Sequence, residues 1–480
     1  MSIERYKKYF LVCTALLASH SFLYSGLSSN SRNDYFPLYT TIEPHAYLYT
    51  RVKEQLQGRT TKKDKINRFS CYISPFGQNA NIGRDLDNNE SELGNLNERW
   101  GMIGLLMGNV PSGQSYSTTL QEARSFLFNP DAPTSTTVLD VPEAVDCDQK
   151  FGFFKFPACY KKRGIRFQFT VGITDDVGFM MQAGASSINF NIIGNPTDVS
   201  GTTRTGCCGV NLTESTLSTC VARAAATYPN LTADNVNEYL MCKLKDIAHE
   251  LERDLCDFHK TAMEDVRLYL YWRHAYEVNT GSKEYPPFLF IPFLSIGASL
   301  ASGKERDPLQ AFGLAHGNNG HNALGAIAGL NVDFTETIEI GAEFGGTHFF
   351  DNKFNDFPLP TSCLQSGIYP FRTSVNISPG FNWHFALKLN AHHFMDKLSF
   401  YFQWVVMEHM NDKICVTTPD SAFKPEVMEC RSAWKAQMIN TALNYDISEH
   451  IGLGFLWQAP VCQRNVFRST TVIFGINFTF

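Results

Sequence analysis

From Phe381 to Ala391 the odd positions read Phe381, Trp383, Phe385, Leu387, Leu389 and Ala391, and the even ones Asn382, His384, Ala386, Lys388 and Asn390. Side chains alternate across a β-strand, so this segment has one apolar and one polar face. The pattern recurs at Ile165 to Ile173, Val266 to Val278, Leu324 to Phe334, Ile338 to Phe344, Leu398 to Val406 and Ile451 to Ala459. Three further segments are less regular. Val177 to Ile192 changes phase near Ser186, and Trp434 to Tyr445 changes phase near Ile439, which reads as bulges. Phe288 to Leu300 is apolar on both faces in its first half.

Beyond the N-terminus the longest apolar run, Pro287 to Leu294, is eight residues. A membrane-spanning helix needs roughly 20, so a membrane location is open to this chain only through strands. A soluble β-sandwich alternates too, with its aromatic face turned inward. Strands of roughly 11 to 15 residues in series, joined by tight turns on one side only, are uncommon in sandwiches and favour a closed barrel. Aromatic residues at 13% against 18% charged suit a barrel with aromatic girdles. The net charge of −6, with no basic run, argues against nucleic acid as a partner.

Connection lengths supply an independent regularity. Short polar turns fall at Thr174 to Asp176, Thr335 to Thr337, Met395 to Lys397 and Asp446 to His450. Between them lie long connections at Gly194 to Glu264, Ala301 to Gly320, Asp351 to Pro379 and Glu408 to Arg431. Short turns at one end and long loops at the other are the habit of outer-membrane barrels. Upstream, Arg68 to Phe76, Trp100 to Met107 and Phe151 to Phe156 supply three more candidate strands. The expectation is therefore an all-β, transmembrane, antiparallel up-and-down barrel of 14 strands, within a range of 12 to 16. That count leaves Gly108 to Lys150 as an anomalously long connection on the short-turn side.

The first residues carry Arg5, Lys7 and Lys8, then the apolar stretch Tyr9 to Ala18, then small and polar residues, the pattern of a secretory signal peptide. The expected organisation is a signal peptide at 1–25, a periplasmic or plug segment at 26–67 and the barrel at 68–480.

At the other end Val472, Phe474, Ile476, Phe478 and Phe480 share one face, and Thr471, Gly475, Asn477 and Thr479 the other. This segment resembles the closing strand of bacterial outer-membrane β-barrel proteins of the porin-like superfamily, which ends in Phe with apolar residues at alternate positions before it. The resemblance implies a place in the bacterial outer membrane, in contact with its lipid. It also implies that Phe474, Ile476, Phe478 and Phe480 form the signal read by the barrel-assembly machinery. It covers the closing strand, the leader and the general strand pattern, and names no particular family.

Within the insertion 194–264, Leu240, Leu244, Ile247, Leu251, Leu255 and Phe258 recur at helical steps, predicting an amphipathic helix in one long outer loop. Cys242 and Cys256 on that helix stand about 21 Å apart and cannot pair with each other. The chain has thirteen cysteines, and Cys13 belongs to the leader. An even set in an exported chain favours disulfides, with Cys415 and Cys430, in one loop, the simplest pair. No spacing suits a metal, and no cofactor is implied.

Read inward, the alternation places Arg166, Arg267, Arg273, Lys388 and Lys435 in the lumen with Asp265, Glu277, Asp333, Glu339 and Glu343. Arg267 and Arg273 against Glu339 and Glu343 are the expected constriction, since charged rings set the field that solutes meet. Arg166 and Lys388 complete the candidate pore lining. His384, His392 and Ser399 also face inward, but no nucleophile motif accompanies them, so the chain does not read as an enzyme. The functional expectation is a porin-like channel for passive diffusion of small hydrophilic solutes, with the oligomeric state, a homo-oligomer included, left open. Two alternatives stand beside it: a structural or surface-adhesion barrel with disulfide-bearing loops, and a transport barrel for hydrophobic substrates with an N-terminal plug, similar to the fatty-acid transport barrels.

Overall fold

The computed structural model describes residues 69–86, 88–96, 105–106, 108–127, 156–174, 176–193, 243–278, 288–334, 338–362, 365, 367–395, 397–448 and 450–479. Twelve antiparallel strands close one sheet. They are β1 (Phe69–Ala80), β2 (Ala158–Gly172), β3 (Val177–Ile192), β4, β5 (Phe288–Leu300), β6 (Ala323–Phe334), β7 (Ile338–Phe349), β8 (Asn382–Met395), β9 (Leu398–His409), β10 (Trp434–Asp446), β11 (Ile451–Arg464) and β12 (Thr470–Thr479). β4 runs in three pieces, Phe258–Met263, Val266–Arg273 and Tyr276–Val278, which together pair with β3 and β5. β12 pairs with β1 from Ser70↔Thr479 to Asn79↔Thr470 and seals the cylinder.

The outer face is apolar at mid-height. Phe344 is 56% exposed, Phe474 57% and Leu387 47%, and they belong to a band with Ile340, Leu389, Leu270, Leu453 and Ile476. An apolar surface that encircles a protein needs a lipid cover. Closure leaves no unpaired strand edge in that lipid. Among the described residues no helix is long and apolar enough to cross a membrane. The chain is a closed antiparallel β-barrel with an apolar outer band of the kind that a membrane covers.

Twelve strands replace the fourteen expected. Leu105 and Leu106, in the second upstream candidate, are helical and buried, and Phe156, the described residue of the third, packs on Phe312 outside any strand. With those two removed, the connection 81–157 falls at the end that carries the other long loops, and the anomaly it posed disappears.

The apparent phase changes have a physical cause other than bulging. Along β3 the inward positions alternate without a break from Gly178 to Phe190. Near the long-loop end the strand rises out of the lipid, so its outward residues become Ser187, Asn189 and Asn191. Its inward residues there, Ile188 and Phe190, enter an apolar core. β2 behaves alike: Tyr160 points into that core while Lys161 and Arg163 point out, so the strand begins seven residues before Ile165. On β10 the same inversion turns Lys435 outward, 3.6 Å from Glu408, where the sequence placed it in the lumen. Opposite Gln437 and Met438 the pairing with β11 shifts register, and the residue passed over is Val461 of β11.

The long connections share a core of their own above the mouth. Phe190 stacks on Phe312 at 5.6 Å, Tyr160 meets Phe467 at 5.5 Å, and Leu244, Ile247, Leu359, Phe371, Ile377 and Met428 complete the cluster. A three-stranded sheet of Asn352–Leu359, Phe371–Ser378 and Lys413–Val416 forms part of this cap. Each large apolar side chain buried this way contributes about 1.5–3 kcal/mol.

Two helices, α1 (Thr118–Leu127) and α2 (Leu244–Glu250), join through Thr119, whose N–H and hydroxyl donate to the Glu250 carboxylate at 3.0 and 2.7 Å. The helix expected to reach Phe258 stops at Glu250. Glu252 adopts a φ of 52°, Asp254 bridges to Gln310, and Phe258 opens β4. Cys256 therefore lies off the helix, and the helical spacing drawn from Cys242 does not hold. Residues 194–242, with the rest of the expected helical insertion, lie outside the described residues, as do the leader and the segment 26–67. Cys415 lies on a cap strand and Cys430 at the end of the helix Glu426–Glu429; no disulfide joins these two.

Candidate functional site

Strand alternation sends every second side chain of the barrel inward, and in the lipid-embedded zone most of these are polar or small. The six candidate lining residues all lie on this inner wall: Arg166 on β2, Arg267 and Arg273 on β4, Glu339 and Glu343 on β7, and Lys388 on β8. Both signs stand on each side: Lys162, Arg166, Arg267 and Arg273 on β2 and β4 have Glu264 among them, and Asp333, Glu339 and Glu343 on β6 and β7 have Lys388 of β8 beside them.

Three hydrogen-bonded groups organise the wall. Nearest the cap, Arg166 donates to Glu264 at 2.7 and 3.2 Å, and Lys162 lies 2.9 Å from the same carboxylate. Glu264 sits where β4 is interrupted, which is what frees it to turn across β3. At mid-height a chain crosses five strands. Glu343 contacts Lys388 and accepts from Gln403 at 3.1 Å, Asn440 donates to Gln403 at 2.9 Å, and Gln458 donates to Asn440 at 2.9 Å. The Lys388 ammonium also lies 4.7 Å from the Phe293 ring, which reaches in from β5. Nearer the short turns, Asn331 and Asn390 donate to one oxygen of Glu339 at 3.1 and 2.7 Å. Arg267 donates to Gln182 at 3.1 Å, while the described bonds of Glu343 run to Lys388 and Gln403.

At the level of these networks the wall is covered. Glu339 is 1% exposed, Asn440 0%, Lys388 4% and Arg273 2%, whereas a continuous water column would leave its wall wetted. Charges withdrawn from water this far need partners: Glu264 and Glu343 find cations, and Glu339 is held by two amides.

The connection 301–322 folds down into the mouth and is tied there by Asp265, the neighbour of Glu264. Asp265 accepts from the backbone N–H of Gly303 at 2.8 Å and of Asn318 at 2.5 Å. Asn318 in turn donates from its side chain to Ser299 at 2.9 Å, and His316 faces the Lys260 carbonyl at 3.2 Å. Gly317 takes a φ of 116°, and a Cβ there would strike the Asp265 carboxylate. His316, Asn318 and His321 are all buried.

Sequence reasoning missed Lys162, Glu264, Asn331, Gln403 and Asn440 as members of the site. Lys162 lies in the inverted upper part of β2, and Glu264 closed what read as a loop. The amides carry no charge to single them out, although their inward phase was legible.

The inward His384 and Ser399 are far apart. His384 pairs with Met407, eight residues from Ser399 along β9, a separation of about 26 Å that rules out a base and nucleophile pair between them. Among the described residues no group of three His, Cys, Asp or Glu side chains could hold a metal ion.

No protein-family model matches the chain. No curated protein matches it either. Solved structures of similar strand arrangement include an outer membrane channel from Pseudomonas putida F1, 9% identical, with 87% of this chain and 97% of that one covered and a TM-score of 0.44. The NanC porin is 9% identical, with 66% and 94% covered and a TM-score of 0.29. The transport unit of the autotransporter AIDA-I from Escherichia coli is 8% identical, with 90% and 97% covered and a TM-score of 0.33. Scores at this level do not carry a function from those proteins to this one.

Proposed function

We propose that this protein is an outer-membrane channel for small hydrophilic solutes, held shut in the conformation described. The observation that carries the reading is the mid-height belt of Glu343, Lys388, Gln403, Asn440 and Gln458. A barrel selected for stability alone gains nothing from burying ions, because apolar side chains of similar volume serve as well or better. A polar belt is what a solute path requires, and its charged side chains set the field that solutes meet. Solutes would pass by diffusion, with no cofactor. Opening would require the connection 301–322 to leave the mouth and the belt to exchange its internal bonds for water. In this reading Phe474, Ile476, Phe478 and Phe480 serve as the assembly signal; the first three line up on the lipid side of β12, and Phe480 lies outside the described residues.

A structural or adhesion barrel is the second reading, and the cap favours it, because a hydrophobic core above the mouth is more than a pore needs. A path for hydrophobic substrates fits less well with a charged inner wall. Purified, refolded protein in a planar bilayer separates the first two. Discrete conductance steps, brief and infrequent as expected of a gated barrel, support the channel. A silent bilayer across the full voltage range supports the structural barrel.

A further inference from the structure

One sector of the outer face changes character within a single row of residues. Across β2, β3 and β4 the register aligns Ile165, Ala185 and Met263, with Ile165 37% and Met263 54% exposed. These belong to the apolar band. One row nearer the cap the outward residues are Gly77 of β1, Arg163, Ser187 and Thr261. The row after that is Asn79, Lys161, Asn189 and His259. Successive rows lie about 6.8 Å apart along the strands, so Arg163 and Lys161 stand directly over the edge of the band.

Both cations are exposed, and neither has an ion pair or a side-chain hydrogen bond among the described residues. Neither row contains a carboxylate. Asp257, two strands across from Lys161 and a row further from the band, accepts from the Ile192 N–H at 2.8 Å. Elsewhere on the rim the outward Lys435 has Glu408 at 3.6 Å. Around Arg163 and Lys161 the neighbours are instead hydroxyls and amides, with Asn189 bonded to His259. A Cβ at Gly77 would meet nothing within 4 Å, so the face beside Arg163 is open. Below the cations, Ala185 lies between Ile165 and Met263, and Ala183 beside Phe167, a shallow furrow that leads down into the band.

We propose that Arg163 and Lys161 bind the phosphate of a membrane lipid whose acyl chains lie over Ala185 and Ala183. A headgroup phosphate sits just outside the hydrocarbon, at the height where the apolar rows end, and basic residues at that height attract anionic lipids. The Arg163 fork can pair with two phosphate oxygens, while Lys161 adds a compact charge. Two neighbouring cations repel each other, and an anion shared between them reverses the sign of that interaction. The site rests on lipid covering the apolar band and not on conduction, so a barrel that proves silent in a planar bilayer leaves it standing.

The test is native mass spectrometry of the refolded full-length chain in detergent, titrated with phosphatidic acid or with phosphatidylcholine of the same acyl chains. The expected result is one tightly held phosphatidic acid and much weaker binding of phosphatidylcholine. Each Lys or Arg near a membrane surface strengthens the attraction to anionic headgroups about fivefold, so the double variant Lys161→Gln, Arg163→Gln should bind phosphatidic acid about 25-fold more weakly. Both side chains are exposed, so their replacement does not disturb a packed core. Lys413→Gln, which removes an exposed cation of the cap, should leave binding unchanged. Equal binding of the two lipids by the wild type, equal binding of phosphatidic acid by the wild type and the double variant, or an equal loss in Lys413→Gln overturns the site.

Discussion

Arg166 and Glu264 reach each other over Gly184, a residue of the strand that separates them. A Cβ at that position would lie 2.9 Å from Arg166 Cγ and 3.2 Å from Glu264 Oε2, so the missing side chain is what lets the pair close. Glu264→Gln leaves Arg166 and Lys162 buried without a counter-charge. The expected loss is about 3 to 5 kcal/mol. Gly184→Val should cause a comparable loss by forcing the pair apart. Urea unfolding in detergent micelles, followed by intrinsic fluorescence, measures both, and a Glu264→Gln protein as stable as the wild type would show that the pair has no structural role.

Lys388 and Glu343 form the charged end of the belt. Lys388→Met alone should destabilise by about 3 kcal/mol, because it leaves a buried carboxylate without its cation. The double variant Lys388→Met, Glu343→Met should recover most of that loss, since residues in contact are not additive. Full additivity in the same unfolding assay would mean that the two do not interact.

The tie between Asp265 and the connection 301–322 predicts how the mouth opens. Asp265→Ala removes the acceptor for two backbone N–H groups, each bond to a charged group being worth about 1.5–3 kcal/mol. Trypsin should then cut after Lys304 or Arg306 more than about tenfold faster than in the wild type. Unchanged cleavage would show that Asp265 does not hold the loop.

How much of this was legible beforehand depended on where each residue lies relative to the lipid. In the membrane zone the solvent rule is uniform, apolar out and polar in, so Phe381 to Ala391 and the closing strand could be read directly. Above the lipid the rule reverses. Tyr160, Ile188 and Phe190 turn apolar side chains inward, and Lys161, Arg163 and Asn189 turn polar ones out, which looked like an absent strand start in one case and a bulge in the other. The cap was illegible for a different reason: its core is assembled from segments such as Leu244, Phe312 and Phe371 that lie far apart in sequence, and local periodicity does not record such contacts. Of the site, the charges were found from strand phase, while the amides that link them were not.

Two carboxylates clamp the connection between β1 and β2 onto the cap, and both respond to acid. Asp420 accepts from the N–H groups of Ala422 and Ser112, which lower its pKa. Burial pushes Glu250 up, but hydrogen bonding, including that from Thr119, outweighs it and leaves its pKa lowered. A carboxylate with a depressed folded-state pKa contributes stability above its unfolded value, and that contribution is lost as pH falls through the folded value. Hydrogen-exchange protection of the Ser112 and Thr119 amides, corrected for intrinsic rates, should therefore fall below pH 4 while the barrel amides stay protected. Protection that does not change between pH 6 and pH 3 would contradict these clamps.

An arginine at Phe344, mid-strand on the lipid face of β7, should cost about 2–4 kcal/mol of folding free energy in vesicles. A cost near zero would mean that this face meets water.

The central claim is that one face of every strand meets lipid while the other is sealed inside, and single-cysteine nitroxide labels at successive positions from Phe385 to Asn390 on β8 test it most directly. The account predicts that labels at Phe385, Leu387 and Leu389 collide with oxygen dissolved in the bilayer, and that labels at Ala386, Lys388 and Asn390 are reached by neither oxygen nor a water-soluble nickel chelate. Free access of the chelate to Lys388 and Asn390 in the resting protein, or loss of the two-residue period, would contradict it.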